Sequence, residues 1–393
     1  MQRYFYISNA FDEGVKRHRS ITGDSPAASG KIISICRSVR EQGGKATVVS
    51  LGRGRQGGSW KWHPAVIRRP EGVPIIYAAY FDAPLVTHIV SAFSMLMVLL
   101  RVARRNSVLI FYNYLAYYVP TLIVSRLLGR RCILDLEDGF RSDDRTWKGR
   151  LNLFLLTTYN IFCNGGAMLA SSTLIDQTRL RPTIVCYGAA TDVPCCKNWH
   201  ESPLQVLFGG ALFKDTGAEL FLDTLNLLVT EHRDVLCKFK IVVTGAGDMA
   251  EKIKETVLAK YHGFVEFRGA VSRKEYMEIL HESHIGMCLK MPDMSMGMTT
   301  FPSKVVEMAA FGLLVVSTKV SDVPFLFSDR TSVLLKNASP EDLASVLVDI
   351  AKLPEKYGDI AFQGHKELTE LLSNQRVGAA LLAFWKGQAP LQN

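Results

Sequence analysis

Short apolar runs alternate with amphipathic stretches along the whole chain, and each pattern predicts its own element. Runs of a few mainly apolar residues, rich in β-branched types and closed by glycine or polar residues, read as buried parallel strands. They fall at 4–8, 46–51, 107–112, 131–136, 167–171 and 183–187, and again at 204–208, 239–244, 264–268, 285–289, 313–316 and 333–335. Helical spacing of apolar positions marks 31–42, 85–102, 121–128, 151–162 and 172–180 in the first half. In the second half it marks 218–228, a helix opening near Ser272, 302–311, 340–353 with Ser339 as its cap, and 375–385. Such alternation makes parallel sheets with helices on both faces. The polar stretch 11–29, with Gly14, Gly23 and Pro26, reads as a long loop of the kind that faces a ligand. No Gly-x-Gly-x-x-Gly follows the first strand, which argues against a dinucleotide site there. Residues 53–62, rich in Gly, Arg and Trp, read as a solvated surface loop.

Length and charge refine this picture. The 393 residues, 48% of them hydrophobic, are enough for two domains with real cores, and the polar residues 197–203 read as the linker. The eight cysteines are scattered without metal-ligand spacing, most of them in apolar runs, so they read as buried thiols in a reducing compartment. Cys195 and Cys196 form an adjacent pair with no assigned role. The first residues do not read as a signal peptide, because a short strand begins at once. Residues 1–200 hold 26 Lys and Arg against 13 Asp and Glu, a balance of +13; the rest hold 20 against 24, or −4. The first half is therefore expected to face something anionic. The apolar segment 89–100, followed by Arg101, Arg104 and Arg105, is too short to span a bilayer. It reads either as a buried helix or as a helix lying in a membrane interface.

Residues 297–319 carry the densest chemistry. Pro302 suits a first helical turn, Ser303 and Lys304 follow it, and Gly312 stops the helix before the strand 313–316. Free N–H groups at such a start, with a hydroxyl and an ammonium beside them, can hold an anion. Glu307 lies one turn further on, where its carboxylate can accept both hydroxyls of a ribose. Diphosphate first and ribose second is the layout of a nucleotide-sugar. An ordinary crossover helix with a surface carboxylate is the competing reading. Glu137 and Asp138 follow the strand 131–136, where a ligand of an open sheet sits, or else are solvated loop carboxylates.

The stretch 297–319 resembles the nucleotide-sugar motif of the retaining glycosyltransferases of family 4, in the branch with Phe-Pro-Ser-Lys before the helix. That family has two Rossmann-like domains facing a central cleft, the GT-B type of α/β fold. The resemblance implies domains at 1–200 for the acceptor and 201–375 for the nucleotide-sugar, with the terminal helix of 376–393 returning to the first. Glu307 matches the family's ribose-binding Glu, whereas Thr299 stands where the family has another Glu. Lys214, in the glycine turn that includes Gly210, matches the lysine on the donor diphosphate. The family's usual Arg after the glycine is missing. Gly269 and Val271 lie at the turn that reads the base, and Gly297 and Thr299 in the Met-rich loop that contacts the sugar. Pro302, Ser303, Lys304 and Glu307 complete the implied donor site, and Lys214, Glu137 and Asp138 are the catalytic candidates.

The resulting expectation is hexosyl transfer from a nucleotide-sugar to a glycan or lipid-linked acceptor, in cell-surface polysaccharide synthesis. Retention, no metal and no cofactor are implied by the resemblance. With the basic first half, the expected place is cytoplasmic, peripheral on the inner face of an anionic membrane. Two rivals stand beside it. Asp135, Glu137 and Asp138 could hold a divalent metal in a metal-dependent transferase or hydrolase. A basic nucleic-acid-binding protein is the other, but no interleaved aromatic and basic stripe supports it.

Overall fold

The computed structural model describes residues 2–21, 26–53, 60–83, 86–139, 145–191, 193–194, 197–294 and 298–388. The chain divides into two compact units, residues 1–189 with 372–393, and residues 190–371.

The first unit is built on an eight-stranded sheet. Its strands run in the order Thr183–Val185, Ala167–Leu169, Arg131–Leu136, Val108–Tyr112, Arg3–Ser8, Lys45–Ser50, Ile75–Tyr77 and Val66–Arg68. All pairs are parallel except the last, where Val66–Arg68 runs antiparallel to Ile75–Tyr77. The chain starts in the middle and winds outward in both directions, so the strand order reverses between Arg3–Ser8 and Val108–Tyr112. Right-handed crossovers then place helices on both faces. On one face the helix Pro26–Glu41 lies against the terminal helix Asn374–Lys386. Gly378 allows that approach: a Cβ there would sit 2.3 Å from the Ser38 carbonyl oxygen. Trp385 is fully buried beside Tyr4 and Tyr6, with ring centroids 5.5 and 6.2 Å away, and its indole N–H donates to Met168 Sδ at 3.2 Å.

The stretch expected to be a loop after the first strand is partly helical. Asp12 accepts from the N–H groups of Gly14 and Val15 at 2.7 and 3.0 Å and opens the helix Glu13–His18. Pro26 does not break the next helix but begins it, as its fixed φ and missing N–H favour. Trp62, placed in a surface loop by composition, starts a two-residue strand against Tyr80–Phe81. The expected helix 172–180 is a short 3-10 helix, Ser172–Gln177, where local hydroxyl bonds such as Ser171 to Thr173 compete with helical ones.

The second unit has six parallel strands in the order Val265–Gly269, Phe239–Ala246, Leu204–Ala211, Ile285–Cys288, Leu314–Ser317 and Val333–Leu334. This is the Rossmann order, with its reversal between Leu204–Ala211 and Ile285–Cys288. The central strands read as continuous apolar runs because helices cover both faces. Ser339 caps the helix Pro340–Lys352 by accepting from the Asp342 N–H at 3.3 Å. The helix Pro354–Leu371 was not legible as a periodic segment. Its buried positions are Tyr357, Ala361, Gly364, His365 and Leu368, a helical spacing carried largely by small or polar types.

Candidate active site

The carboxyl edge of the second sheet is where an open α/β sheet takes its ligand. The first strand of this unit ends there in Gly209, Gly210 and Ala211. Gly210 has φ +111 and is exposed, with open space where a side chain would project. Gly245, on the neighbouring strand, has φ +129, and a Cβ there would lie 1.8 Å from the Gly210 carbonyl oxygen. Both strand ends therefore present bare backbone. Gly269, at the end of the outer strand, also has a left-handed backbone, φ +63, and partly buried Val271 follows it.

The helix Lys304–Ala310 brings side chains to this edge. The Lys304 ammonium donates to the Gly209 carbonyl at 3.1 Å and lies 5.7 Å from the Phe208 ring centroid. Glu307, on the same helix, forms an ion pair with Arg273 at 2.6 Å. Arg273 opens the helix Arg273–Glu282, which Ser272 caps by accepting from the Glu275 N–H at 3.2 Å. Tyr276 lies one turn further and approaches Gly209. Burial, then the Glu307 charge, pushes its hydroxyl well above the ordinary range. Gly209, Gly210, Lys304 and Glu307 are thus joined by two residues the sequence reading missed, Arg273 and Tyr276. One signal was available: a cation at a helix N-terminus opposes the helix dipole, so Arg273 is a locally unfavourable choice that needs another partner.

The helix start differs from expectation. Pro302 and Ser303 precede the helix, which begins at Lys304. Ser303 has an αR backbone and makes no capping bond. The N–H groups of Ser303, Val305 and Val306 donate to the carbonyls of Phe301, Pro302 and Ser303 at 3.0, 3.1 and 3.1 Å. A tight turn has consumed donors that an open helix start would offer an anion. Positive charge in this stretch comes from the Lys304 side chain. Thr299 is partly buried, and its hydroxyl oxygen is enclosed without a hydrogen-bond partner. The Lys290 ammonium donates to the Thr300 carbonyl at 2.8 Å and ties down the end of the Met-rich loop. Gly297 lies outside the described residues.

Lys214 is placed differently from Lys304. It is exposed, and its ammonium lies 2.9 Å from Glu219 at the start of the helix Ala218–Glu231. Its loop is anchored where the Met291 N–H donates to the Asp215 carbonyl at 2.8 Å.

In the first unit the acidic cluster after Arg131–Leu136 is not a set of free carboxylates. Glu137 is largely enclosed in an ion pair with Lys31 at 2.6 Å, the two side chains 12% and 8% exposed. Asp138 accepts from Asn113 Nδ2 at 3.0 Å, while Asn113 Oδ1 accepts from the Glu137 and Asp138 N–H groups at 2.9 and 3.3 Å. Asp135 accepts from the Tyr6 hydroxyl, and its other oxygen is buried without a partner. These partners correct the reading of the three carboxylates as one metal-holding group. Among the described residues no three His, Cys, Asp or Glu side chains are grouped to hold a metal ion.

Burial first, and Glu137 second, push the Asp135 carboxyl up to about 8. Burial pulls the Lys31 ammonium down, but Glu137 and then Asp135 outweigh it and hold Lys31 above its ordinary value. The Asp135 shift has a sign that can be measured. An unfolded chain releases this proton near pH 4, and the folded one near pH 8. The associated stability is present at acid pH and is lost as pH rises across that interval. The unfolding free energy of the first unit is expected to fall between about pH 5 and 8. Asp135→Asn should remove most of that slope. Denaturant titrations at several pH values check it, and an unchanged slope in the variant would refute the assignment.

Residues 203–352 match the family described as glycosyl transferases group 1. Comparison with curated protein sequences gives no match. Among solved structures, HepE (Alr3699) from Anabaena in complex with UDP-glucose superposes with a TM-score of 0.66 at 14% identity, covering 97% of this chain and 98% of that one. TarM from S. aureus, as a variant in complex with fondaparinux, alpha-GlcNAc-glycerol and UDP, gives 0.67 at 8% identity, covering 98% and 99%. Sucrose-phosphate synthase from Thermosynechococcus elongatus gives 0.66 at 10% identity, covering 96% and 97%. These similarities extend over nearly the whole chain and establish the GT-B fold, two Rossmann-like domains in one polypeptide. With a glycosyl transferases group 1 domain over residues 203–352 of that fold, the chain is a glycosyltransferase.

Proposed function

We propose that the chain moves a hexosyl group from a nucleotide-sugar held by the second unit to a glycan or lipid-linked acceptor held by the first. The observation that carries this reading is the Lys304 ammonium 3.1 Å from the Gly209 carbonyl, with Glu307 one turn along the same helix. A diphosphate beside the open backbone of Gly210 would meet that ammonium. Glu307, paired with Arg273, would accept the ribose hydroxyls, and the turn from Gly269 to Val271 would face the base. Thr299, with its unpartnered oxygen, and Gly297 would contact the sugar. Pro302 and Ser303 shape the turn that delivers Lys304. HepE and TarM have been captured with UDP or UDP-glucose, which supports a nucleotide-sugar donor here.

Chemically, the leaving diphosphate gains negative charge as the glycosidic bond breaks. A fixed cation aimed at that charge lowers the barrier without reorganising. Lys304 supplies it, with Lys214 as a second cation if its exposed pair with Glu219 opens, so the proposal needs no metal and no cofactor. Retention of configuration follows from analogy with family 4 and its Phe-Pro-Ser-Lys branch. A lipid-linked acceptor in cell-surface polysaccharide synthesis, at the cytoplasmic face of a membrane, fits the basic first half.

Thermal shift against a panel of nucleotide-sugars, followed by turnover with the stabilising donor, tests the reading. Lys304→Met is expected to lower kcat by roughly 10²–10³, as loss of one preorganised donor to a developing charge does, with a smaller change in KM. Lys214→Ala should also reduce kcat more than it raises KM, but by less. Absence of stabilisation by every nucleotide-sugar, or near wild-type kcat in Lys304→Met at saturating donor, would refute it.

A further inference from the structure

Two helices of the first unit expose a second apolar side, and a third helix lies between them. The helix Trp147–Phe162 buries Leu155, Leu156 and Tyr159. Trp147, Leu151, Phe154 and Ile161 follow an independent helical spacing on its other side, and all four are exposed, Trp147 to 69%. The helix Val86–Val102 repeats this arrangement. Ser91, Met95 and Leu99 are buried, while Val86, Ile89, Phe93 and Leu100 face solvent, Ile89 to 73%. Between them lies the helix Val119–Leu127, in contact with both, ending in exposed Leu127 and Leu128. The Tyr159 hydroxyl donates to the Leu115 carbonyl at 2.9 Å, and Arg130 donates to the Ala103 carbonyl at 2.7 Å, so the layer is tied together. Scattered apolar residues are ordinary on a protein surface; exposed apolar stripes at helical spacing on two helices of one layer are not.

Charge on the same layer has one sign. No Asp or Glu occurs between Asp82 and Asp135, or between Asp144 and Asp176, so all three helices lack acidic residues. Arg101, Arg104, Arg105 and Arg126 are exposed at the helix ends, and Arg105 lies beside Gly129, next to Leu127 and Leu128. Lys148 and Arg150 are exposed beside Trp147 and Leu151.

We propose that this three-helix face docks on an anionic lipid bilayer, with the apolar stripes among the acyl chains and the arginines at the headgroup phosphates. Apolar side chains bordered by cations are the chemistry of an interfacial surface. Among the described residues no helix is long and apolar enough to cross a membrane, so this is docking on one leaflet. A second copy of the chain is the poorer occupant, because a two-fold contact would oppose two cationic faces. A nucleic acid would meet apolar side chains where its phosphates need cations. The inference deepens the membrane part of the proposed function and rests on it. Its test involves no turnover, so loss of docking and loss of transfer are separate results.

Co-sedimentation of the full chain with vesicles of phosphatidylcholine, with and without phosphatidylglycerol, provides the test, and light scattering of the free protein accompanies it. Binding is expected on the anionic vesicles at low salt, at least about tenfold stronger than on neutral ones, and weakened by added salt. The triple variant Trp147→Gln, Phe154→Gln, Ile161→Gln should lower the partition coefficient at least about tenfold with an unchanged circular dichroism spectrum. The pair Arg104→Glu, Arg105→Glu, which leaves the apolar stripe intact, should abolish the preference for anionic vesicles. The proposal is overturned by no binding to anionic vesicles at low salt, or by equal binding to neutral ones. A dimer that the triple variant dissociates would also overturn it.

Discussion

Replacing Lys31 with methionine is expected to destabilise the first unit by about 3–5 kcal/mol, the range for breaking a buried ion pair from one side. The cause is the carboxylate left behind. Glu137 sits at 2.6 Å from the Lys31 ammonium with little solvent access, and Asp135 already shares its surroundings. Without the cation, one buried negative charge has no compensation and must take up a proton or draw in water. The double variant Lys31→Met, Glu137→Gln removes both charges and should recover most of the loss, because paired removal of a buried salt bridge is often close to neutral. Denaturant unfolding of the two single variants and the double variant gives the coupling directly. A loss under about 1 kcal/mol for Lys31→Met would mean that the pair behaves as a solvated one. The same experiment bears on Glu137 as a catalytic candidate. If Glu137→Gln retains turnover while Lys31→Met loses stability, the pair organises the carboxyl edge of the first sheet and does not handle the transferred group.

Glu307→Ala should weaken nucleotide binding by about ten- to a hundredfold. A hydrogen bond to a charged partner contributes roughly 1.5–3 kcal/mol, which converts to that range. The structure adds a condition to the expectation. Glu307 already holds Arg273 at 2.6 Å, so the variant also releases an arginine at the same edge. That pair is partly exposed and contributes little to stability by itself. The variant should therefore fold normally, and its loss should lie in binding. A nucleotide lacking its ribose hydroxyls separates the two effects. Wild-type protein should bind it more weakly than the parent nucleotide, whereas Glu307→Ala should bind both alike. Calorimetry with both ligands decides the matter. If Glu307→Ala still prefers the hydroxylated nucleotide as strongly as wild type, the carboxylate has another role.

The sequence alone determined the fold class, because its strongest signals are local. Apolar runs too short for helices, alternating with amphipathic segments, can bury their faces only as parallel sheets with crossover helices. The same locality made Ser303, Lys304 and Glu307 legible as one group, since residues three or four apart along a helix bring side chains to one side. Arg273 was not legible, because its partner Glu307 is reached only after the Rossmann order brings their helices together. Lys31 and Glu137, which are 106 residues apart, met in the same way. Tertiary structure also decided what the helix start offers: the tight turn at Pro302 and Ser303 uses backbone donors that the residue types alone left free. The clearest case is the helix Trp147–Phe162. Its sequence is apolar on two sides, and periodicity cannot say which side the protein covers. Only packing decides that Leu155, Leu156 and Tyr159 go inward and that Trp147, Phe154 and Ile161 stay outside, because a sheet can cover just one side of a helix.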